Sequence, residues 1–240
     1  MNKTGRFTSA VILAAGSGSR FGTENGTKQN IPVLGVPAVA RASLAFEKCL
    51  AIDEIILVGK KDELETLRGY VKDYGLSKVT HVVEGGSYRA ESSFKGVSFV
   101  DPKCEFVAIH DGARCLVTPD IIERTVFDAV KYGAAAAAEK VTDTVKKADS
   151  EGFIEATVDR EYVWLVKTPQ VFSLDVYRKS AEAAALCGAE ITDDCMMAER
   201  LGFKIKLTDC GKNNIKLTAR EDLSLAEYII SHMQSEDGEI

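Results

Sequence analysis

One feature near the start of the chain constrains its fold most. A short apolar run, Ser9–Ala14 (SAVILA), passes directly into Ala15-Gly16-Ser17-Gly18-Ser19-Arg20-Phe21-Gly22. Glycines clustered after a first strand let the backbone approach a phosphate and aim N–H groups at it. Four readings of such a loop compete. A P-loop needs G-x-x-x-x-G-K-[ST], which is absent. A dinucleotide fingerprint needs a third glycine where Phe21 stands, and an acidic residue at the end of the second strand, where the chain has Val58-Gly59. A nucleotidyltransferase loop carries a cation inside it, here Arg20, and another shortly after, here Lys28. Two fixed cations beside glycine N–H groups suit a triphosphate, with about four negative charges, better than a pyrophosphate diester. A plain glycine turn is the remaining reading.

The rest of the chain sets this loop in an α/β frame. Glu54–Val58, Lys78–Val83, Glu105–His110 and Lys204–Leu207 read as strands. Helical patterns fall between them. One opens at Val36-Pro37 and runs through Ala40, Leu44 and Phe46; Asp62–Tyr74 is stopped by Gly75; Arg89–Val100 is a third. Thr118-Pro119-Asp120 supplies an N-cap, a proline at the first helical position and an acid in the first turn of a helix ending at Gly133. This alternation predicts a Rossmann-like, mostly parallel sheet with helices on both faces. The alanines of Ala134–Val141 favour helix by propensity, but Gly133 is a helix stop, so the segment is read as a strand.

After it the texture changes. Lys146–Val166 is polar and alternating, with Gly152 at a turn, and reads as a β-hairpin projecting as an arm of about residues 143–166. The α/β rhythm then resumes. Ser173 caps a helix to about Cys187 with Gly188 as stop, and Thr192-Asp193 opens another that ends at Gly202. Thr218-x-x-Glu221 forms a capping box for a last helix, about Ala219–Met233. With no repeats and no low-complexity linker, residues 1–240 read as one domain with an inserted arm.

Composition removes several classes. Hydrophobic residues are 45% and charged residues 28%, values of a soluble globular chain rather than a disordered or coiled-coil one. No apolar run approaches the roughly 18–20 residues that span a bilayer, and no basic segment feeds a long apolar one as in a signal peptide. A net charge of −6 disfavours general nucleic-acid binding. Six cysteines form no C-x-x-C pair and three histidines lie far apart, which disfavours structural zinc. The expectation is a cytoplasmic protein with reduced thiols.

Motifs further along carry a resemblance. The loop Ala14–Gly22 is followed by Thr27-Lys28-Gln29. Then come Glu84-Gly85-Gly86-Ser87-Tyr88-Arg89-Ala90-Glu91-Ser92 and His110-Asp111-Gly112-Ala113-Arg114. Asp143-Thr144-Val145-Lys146 and Thr157-Val158-Asp159-Arg160 lie on the arm; Thr168-Pro169-Gln170-Val171-Phe172, Thr192-Asp193 and Asn214-Ile215-Lys216-Leu217-Thr218 complete the set. In this order, over roughly Ala10 to Glu227, the chain resembles the 2-C-methyl-D-erythritol 4-phosphate cytidylyltransferase family of the non-mevalonate isoprenoid pathway. It departs from that pattern at Thr27 (a proline in the family), Ser87 (often aspartate), Gly112 (alanine) and Cys115.

The resemblance implies a fold of the nucleotide-diphospho-sugar transferase type and an activity: transfer of a cytidylyl group from CTP to a sugar-alcohol phosphate. It places Arg20, Lys28 and Lys216 as catalytic cations on the triphosphate and α-phosphate. It places Ala14, Ala15, Gly16, Gly18, Gly86 and Ser92 around the nucleotide. Asp111, Arg114, Thr144, Arg160, Thr168 and Thr192 are placed around the acceptor. Mg²⁺ is implied as the cofactor, held by the CTP phosphates, with Asp111 as a further candidate ligand. The arm is expected to cross a two-fold axis in a homodimer and complete the partner's site. Two alternatives stay open: a ribitol 5-phosphate cytidylyltransferase, and a non-catalytic nucleotide-binding protein. His110 is read as a packed strand-end residue rather than a catalyst.

Overall fold

A computed structural model describes residues 2–16, 27, 29–187 and 191–236. The strand expected before the glycine loop is β1 (Thr8–Leu13), buried along its whole length. It has parallel neighbours on both edges: β4 (Glu54–Gly59) and β6 (Phe106–Asp111). β5 (Val79–Glu84) continues the sheet beyond β4. Beyond β6, β10 (Trp164–Ser173) runs antiparallel to both its neighbours, β6 and β7 (Ala134–Lys140). β11 (Lys206–Asp209) closes that edge parallel to β7, so the order is β11-β7-β10-β6-β1-β4-β5.

The pleat divides the core between two faces. Ala10 and Ile12 of β1 join the cluster built on α1 (Ala38–Lys48), α2 (Leu64–Asp73) and α4 (Pro119–Tyr132). Val11 and Leu13 join the one built on α3 (Arg89–Val97), α5 (Leu174–Cys187) and α6 (Asp194–Arg200). A sheet covered on both sides has no polar face, which is why its central strands read as continuous apolar runs. The alanines of β7 alternate in the same way, Ala135 and Ala137 to one cluster and Ala134 and Ala136 to the other. Tertiary burial therefore overrides their helix propensity, helped by Gly133, which ends α4 at φ 91°. A third cluster lies under α7 (Glu221–Glu236), where Ala226 and Ile230 meet Leu217 and Val33.

Several local expectations are corrected. Val36-Pro37 is a strand, β3, paired with β2 (Pro32–Val33); the helix begins at Ala38. α3 ends at Val97 rather than Val100. The last helix starts at Glu221 rather than Ala219. Its cap is Asp222, not Glu221: Asp222 Oδ2 accepts from Thr218 N, Thr218 Oγ1 and Ala219 N at 2.6–2.8 Å. α6 is capped by Asp193, whose Oδ1 accepts from Met196 N at 2.9 Å, and Thr192 stands outside it. Gly188 lies outside the described residues.

The arm is shorter than 143–166. Its hairpin is β8 (Val145–Ala148) with β9 (Ile154–Val158), turned at Gly152 with φ 90°. A single 3-10 turn, Arg160–Tyr162, capped by Asp159, ends it. Trp164–Val166 then pair with Ala138–Lys140 in the main sheet. The strand they begin was not apparent in the sequence because Lys167-Thr168-Pro169-Gln170 is polar and holds a proline, which lacks the N–H an interior strand needs. The register of β10 shifts between Val166 and Gln170, and the Thr168–Pro169 bond is cis.

Candidate active site

The chain runs outward through β1, β4 and β5, then returns to the other side of β1 as β6. At such a switch point the loops leaving two central strands part and open a crevice at their carboxyl ends. Leu13 and Asp111 are register partners there, and a cleft of about 510 Å³ lies above them. Six of the expected residues line it: Ala15, Gly16, Gly86, Ser92, Asp111 and Lys216. They come from four separate parts of the sequence. Ala14 sits just behind, its N–H donating to Val58 O at 2.6 Å. Gly18, Arg20 and Lys28 lie outside the described residues.

One wall of the cleft is backbone held at close quarters. Ser92 Oγ, at the start of α3, accepts from Gly86 N at 2.9 Å, and Glu91 Oε2 accepts from Ser87 N at 2.7 Å. A Cβ at Gly85 would lie 2.6 Å from Ala15 Cβ and 2.8 Å from Ser92 Oγ. The absence of a side chain there lets this segment press against the loop that follows β1. Gly112 is less confined, since a Cβ would stand 3.0 Å from Leu13 O. Thr27, in place of a proline, anchors its segment through Oγ1 to Glu63 Oε1 at 2.5 Å.

The other wall is electrostatic. Lys216 Nζ lies 2.8 Å from Asp111 Oδ2, Arg89 Nε 3.2 Å from Oδ1, and Arg114 Nε 3.6 Å from Oδ2. Burial pushes the Asp111 carboxyl toward its neutral form, but Arg89, Lys216 and Arg114 together hold it well below the usual carboxylate range. Three backbone contacts fix the segment that carries Lys216. Leu217 N donates to Ala113 O at 2.9 Å, Arg114 Nη1 to Asn214 O at 3.1 Å, and Asn214 Nδ2 to Thr168 O at 2.9 Å.

Behind Asp111 runs a buried relay. Its N–H donates to Thr168 Oγ1 at 3.0 Å, and that hydroxyl lies 3.0 Å from His110 Nδ1. His110 Nε2 is 3.2 Å from Arg114 O, a group that only accepts, so Nε2 bears the proton and Nδ1 receives the Thr168 hydroxyl. Burial pushes the His110 pKa down to about 4, and its neighbours do not reverse this. The imidazole is therefore neutral at pH 7 and serves as a packed strut, as the sequence suggested. Thr168 is buried in this relay. Thr192 is exposed at the head of α6 with Oγ1 3.6 Å from Met196 Sδ. Thr144 and Arg160 lie on the exposed arm and do not line the cleft; Arg160 Nη1 donates to Thr142 O at 2.6 Å.

Sequence reading passed over three charged residues of this site. Lys60 lines the cleft from the carboxyl end of β4, a position that the switch-point rule marks for attention. Arg89 lines it from the start of α3, inside a motif noted for its glycines and serine. Asp194 pairs with Arg89 from 105 residues away, a separation that no local pattern reveals. Among the described residues no group of three or more His, Cys, Asp or Glu side chains converges as a metal site. Cys115, a departure in the motif, is buried, and burial raises its thiol pKa to about 11.

A family model described as "IspD: 2-C-methyl-D-erythritol 4-phosphate cytidylyltransferase" matches residues 8–232. The chain is 41% identical over 223 residues to 2-C-methyl-D-erythritol 4-phosphate cytidylyltransferase of Caldanaerobacter subterraneus subsp. tengcongensis, covering 92% of this chain and 98% of that one. It is 40% identical over 224 residues to the protein of the same name from Alkaliphilus oremlandii, covering 93% and 94%. Among solved structures, it is similar to 4-diphosphocytidyl-2C-methyl-D-erythritol synthase from Anaerococcus prevotii, with a TM-score of 0.84, 30% identity and coverage of 94% and 99%. The structure of 2-C-methyl-D-erythritol 4-phosphate cytidylyltransferase from Thermus thermophilus matches at a TM-score of 0.75 and 26% identity, covering 93% and 98%.

Proposed function

Because the chain belongs to the 2-C-methyl-D-erythritol 4-phosphate cytidylyltransferase family, we propose that its switch-point cleft is where CTP meets the acceptor. The reaction is nucleotidyl transfer. A phosphate oxygen of 2-C-methyl-D-erythritol 4-phosphate attacks the α-phosphorus of CTP. The bond from that phosphorus to the bridging oxygen breaks, and pyrophosphate leaves with the electron pair. The attacking phosphate is already an anion at pH 7, so no general base is required. The barrier lies in bringing two polyanions together and in charge building on the leaving group, which positioned cations relieve.

The observation that carries the site assignment is the meeting of Asp111 and Lys216 on the floor of the cleft, opposite the Gly85-Gly86 backbone. In this reading Ala14, Ala15, Gly16, Gly18, Gly86 and Ser92 enclose the nucleotide. Arg20 and Lys28 grip the triphosphate. Lys216 faces the α-phosphate, where an ammonium acts as a mobile point charge. Asp111 accepts from acceptor hydroxyls, with Arg114 beside it and Thr168 steadying it from behind. Thr192, exposed at the head of α6, is assigned to the acceptor although it does not line the cleft.

Asp111 already carries an ammonium and a guanidinium within 3.2 Å, so its carboxylate does not suit a resident divalent cation. We assign Mg²⁺ to the phosphates of CTP, where it would neutralise charge on the triphosphate. The arm points to a homodimer. Phe153 and Ile154, on a hairpin that pairs only with itself among the described residues, and Tyr162, in the turn that follows it, are 68%, 66% and 77% exposed. Burying them against a second copy would carry Thr144 and Arg160 to the partner's cleft. Among the described residues, five free, buried cysteines fit a cytoplasmic setting.

The test is pyrophosphate release with CTP and Mg²⁺, comparing methylerythritol 4-phosphate with ribitol 5-phosphate. Turnover confined to the first is expected. Equal or better turnover with ribitol 5-phosphate would overturn the acceptor assignment.

A further inference from the structure

Asp111 is gripped on both oxygens, but the two grips differ. Lys216 and Arg114 both approach Oδ2, at 2.8 and 3.6 Å. Among the described residues, Oδ1 has Arg89 alone, at 3.2 Å from Nε. Arg89 is itself held from below. Its Nη1 donates to Asp194 Oδ2 at 2.6 Å, and the Asp194 side chain is 0% exposed. Asp194 Oδ1 accepts from Ser93 Oγ at 2.8 Å, so the Tyr177 hydroxyl, 2.8 Å from Ser93 Oγ, must donate to it. A chain of partners thus runs from the core between α3, α5 and α6 to the floor of the cleft.

We propose that the Asp194–Arg89 pair is a positioning device for Asp111, setting the direction of its carboxylate and so the affinity for the acceptor. Geometry requires an arginine. One planar guanidinium offers Nε to the cleft carboxylate and Nη1 to the buried one, and a lysine ammonium has no such fork. Stability does not account for the pair. Among the described residues Arg89 Nη2 is buried without a partner, a cost that an apolar replacement of the whole pair would avoid. Withdrawing Arg89 leaves both remaining cations on Oδ2, which turns the carboxylate toward Lys216 and away from where Oδ1 now points.

The inference rests on Asp111 being the acceptor's ligand, and the test separates the two. Acceptor binding is measured by calorimetry with the nucleotide side saturated by α,β-methylene-CTP, and binding of that analogue is measured alone. The set is the unsubstituted protein, Asp111→Asn, Arg89→Gln, Arg89→Lys and Asp194→Asn. Asp194→Asn and Arg89→Gln are expected to weaken acceptor binding by about tenfold, with analogue binding within about twofold; Arg89→Lys should not restore it. Ser93→Ala, which removes one hydroxyl, carries the same expectation at about twofold to threefold and stands in if the charge variants do not fold. Unchanged acceptor affinity, or equal loss for both ligands, would overturn the positioning role. If Asp111→Asn itself leaves acceptor binding intact, the fault lies with the assignment of Asp111. If Asp111→Asn weakens binding and the Arg89 and Asp194 variants do not, only the positioning inference fails.

Discussion

At the scale of single residues, buried charge and a buried imidazole share one small volume, and each has its own pH window. His110 titrates at about 4 in the folded chain, below its ordinary 6.5. The unfolded chain therefore binds the extra proton first. Stability contributed by neutral His110 is complete above about pH 6.5 and is lost as pH falls toward 4. Asp111, depressed below its ordinary 3.8, loses its contribution only below that value, so the two windows do not overlap. Urea midpoints across this range should fall between pH 6.5 and 4, and His110→Asn should flatten that slope; an unchanged slope in the variant would assign it to other groups. Lys216, proposed to face the α-phosphate, is only partly buried. Lys216→Ala should reduce kcat by roughly 10²–10³-fold with the fold retained, checked by pyrophosphate release and circular dichroism.

At the scale of elements, one close approach shapes the cleft and one projecting hairpin is proposed to complete it. The turn between β5 and α3 has no room for a side chain at Gly85. Gly85→Ala should displace it from the loop after β1 and raise the KM for CTP by about tenfold while sparing the acceptor, since only the nucleotide wall moves. The β8–β9 hairpin stands apart from the seven-stranded sheet. Replacing residues 145–158 with a two-residue turn should leave thermal unfolding of the sheet nearly unchanged and abolish turnover. Retained activity would remove the arm from the site.

At the scale of the whole molecule, the proposed arm exchange would tie catalysis to assembly. If Thr144 and Arg160 act in the partner's cleft, two inactive proteins can repair one another. Mixing Lys216→Ala with Arg160→Ala and allowing subunits to exchange would create heterodimers in which one of two clefts has every group intact. About a quarter of full activity is expected from random exchange. No recovery, with exchange verified by mass, would place Arg160 in its own chain's site.

The sequence alone determined the α/β frame and six of the residues that line the cleft. These are written locally: apolar runs of strand length, Thr118-Pro119 opening a helix and Gly133 closing it. Strand β10 was hidden because its polar Lys167-Thr168-Pro169-Gln170 core reads as a break, although flanking strands pair with it on both sides. Only tertiary structure could decide what surrounds Asp111. Arg89, Lys216 and Thr168 stand 22, 105 and 57 residues from it, and Asp194 acts on it through one of them. The physical reason is that strand pattern and turn chemistry depend on near neighbours, while the charge and direction of a buried carboxylate depend on whatever the folded chain brings within a few ångströms of it.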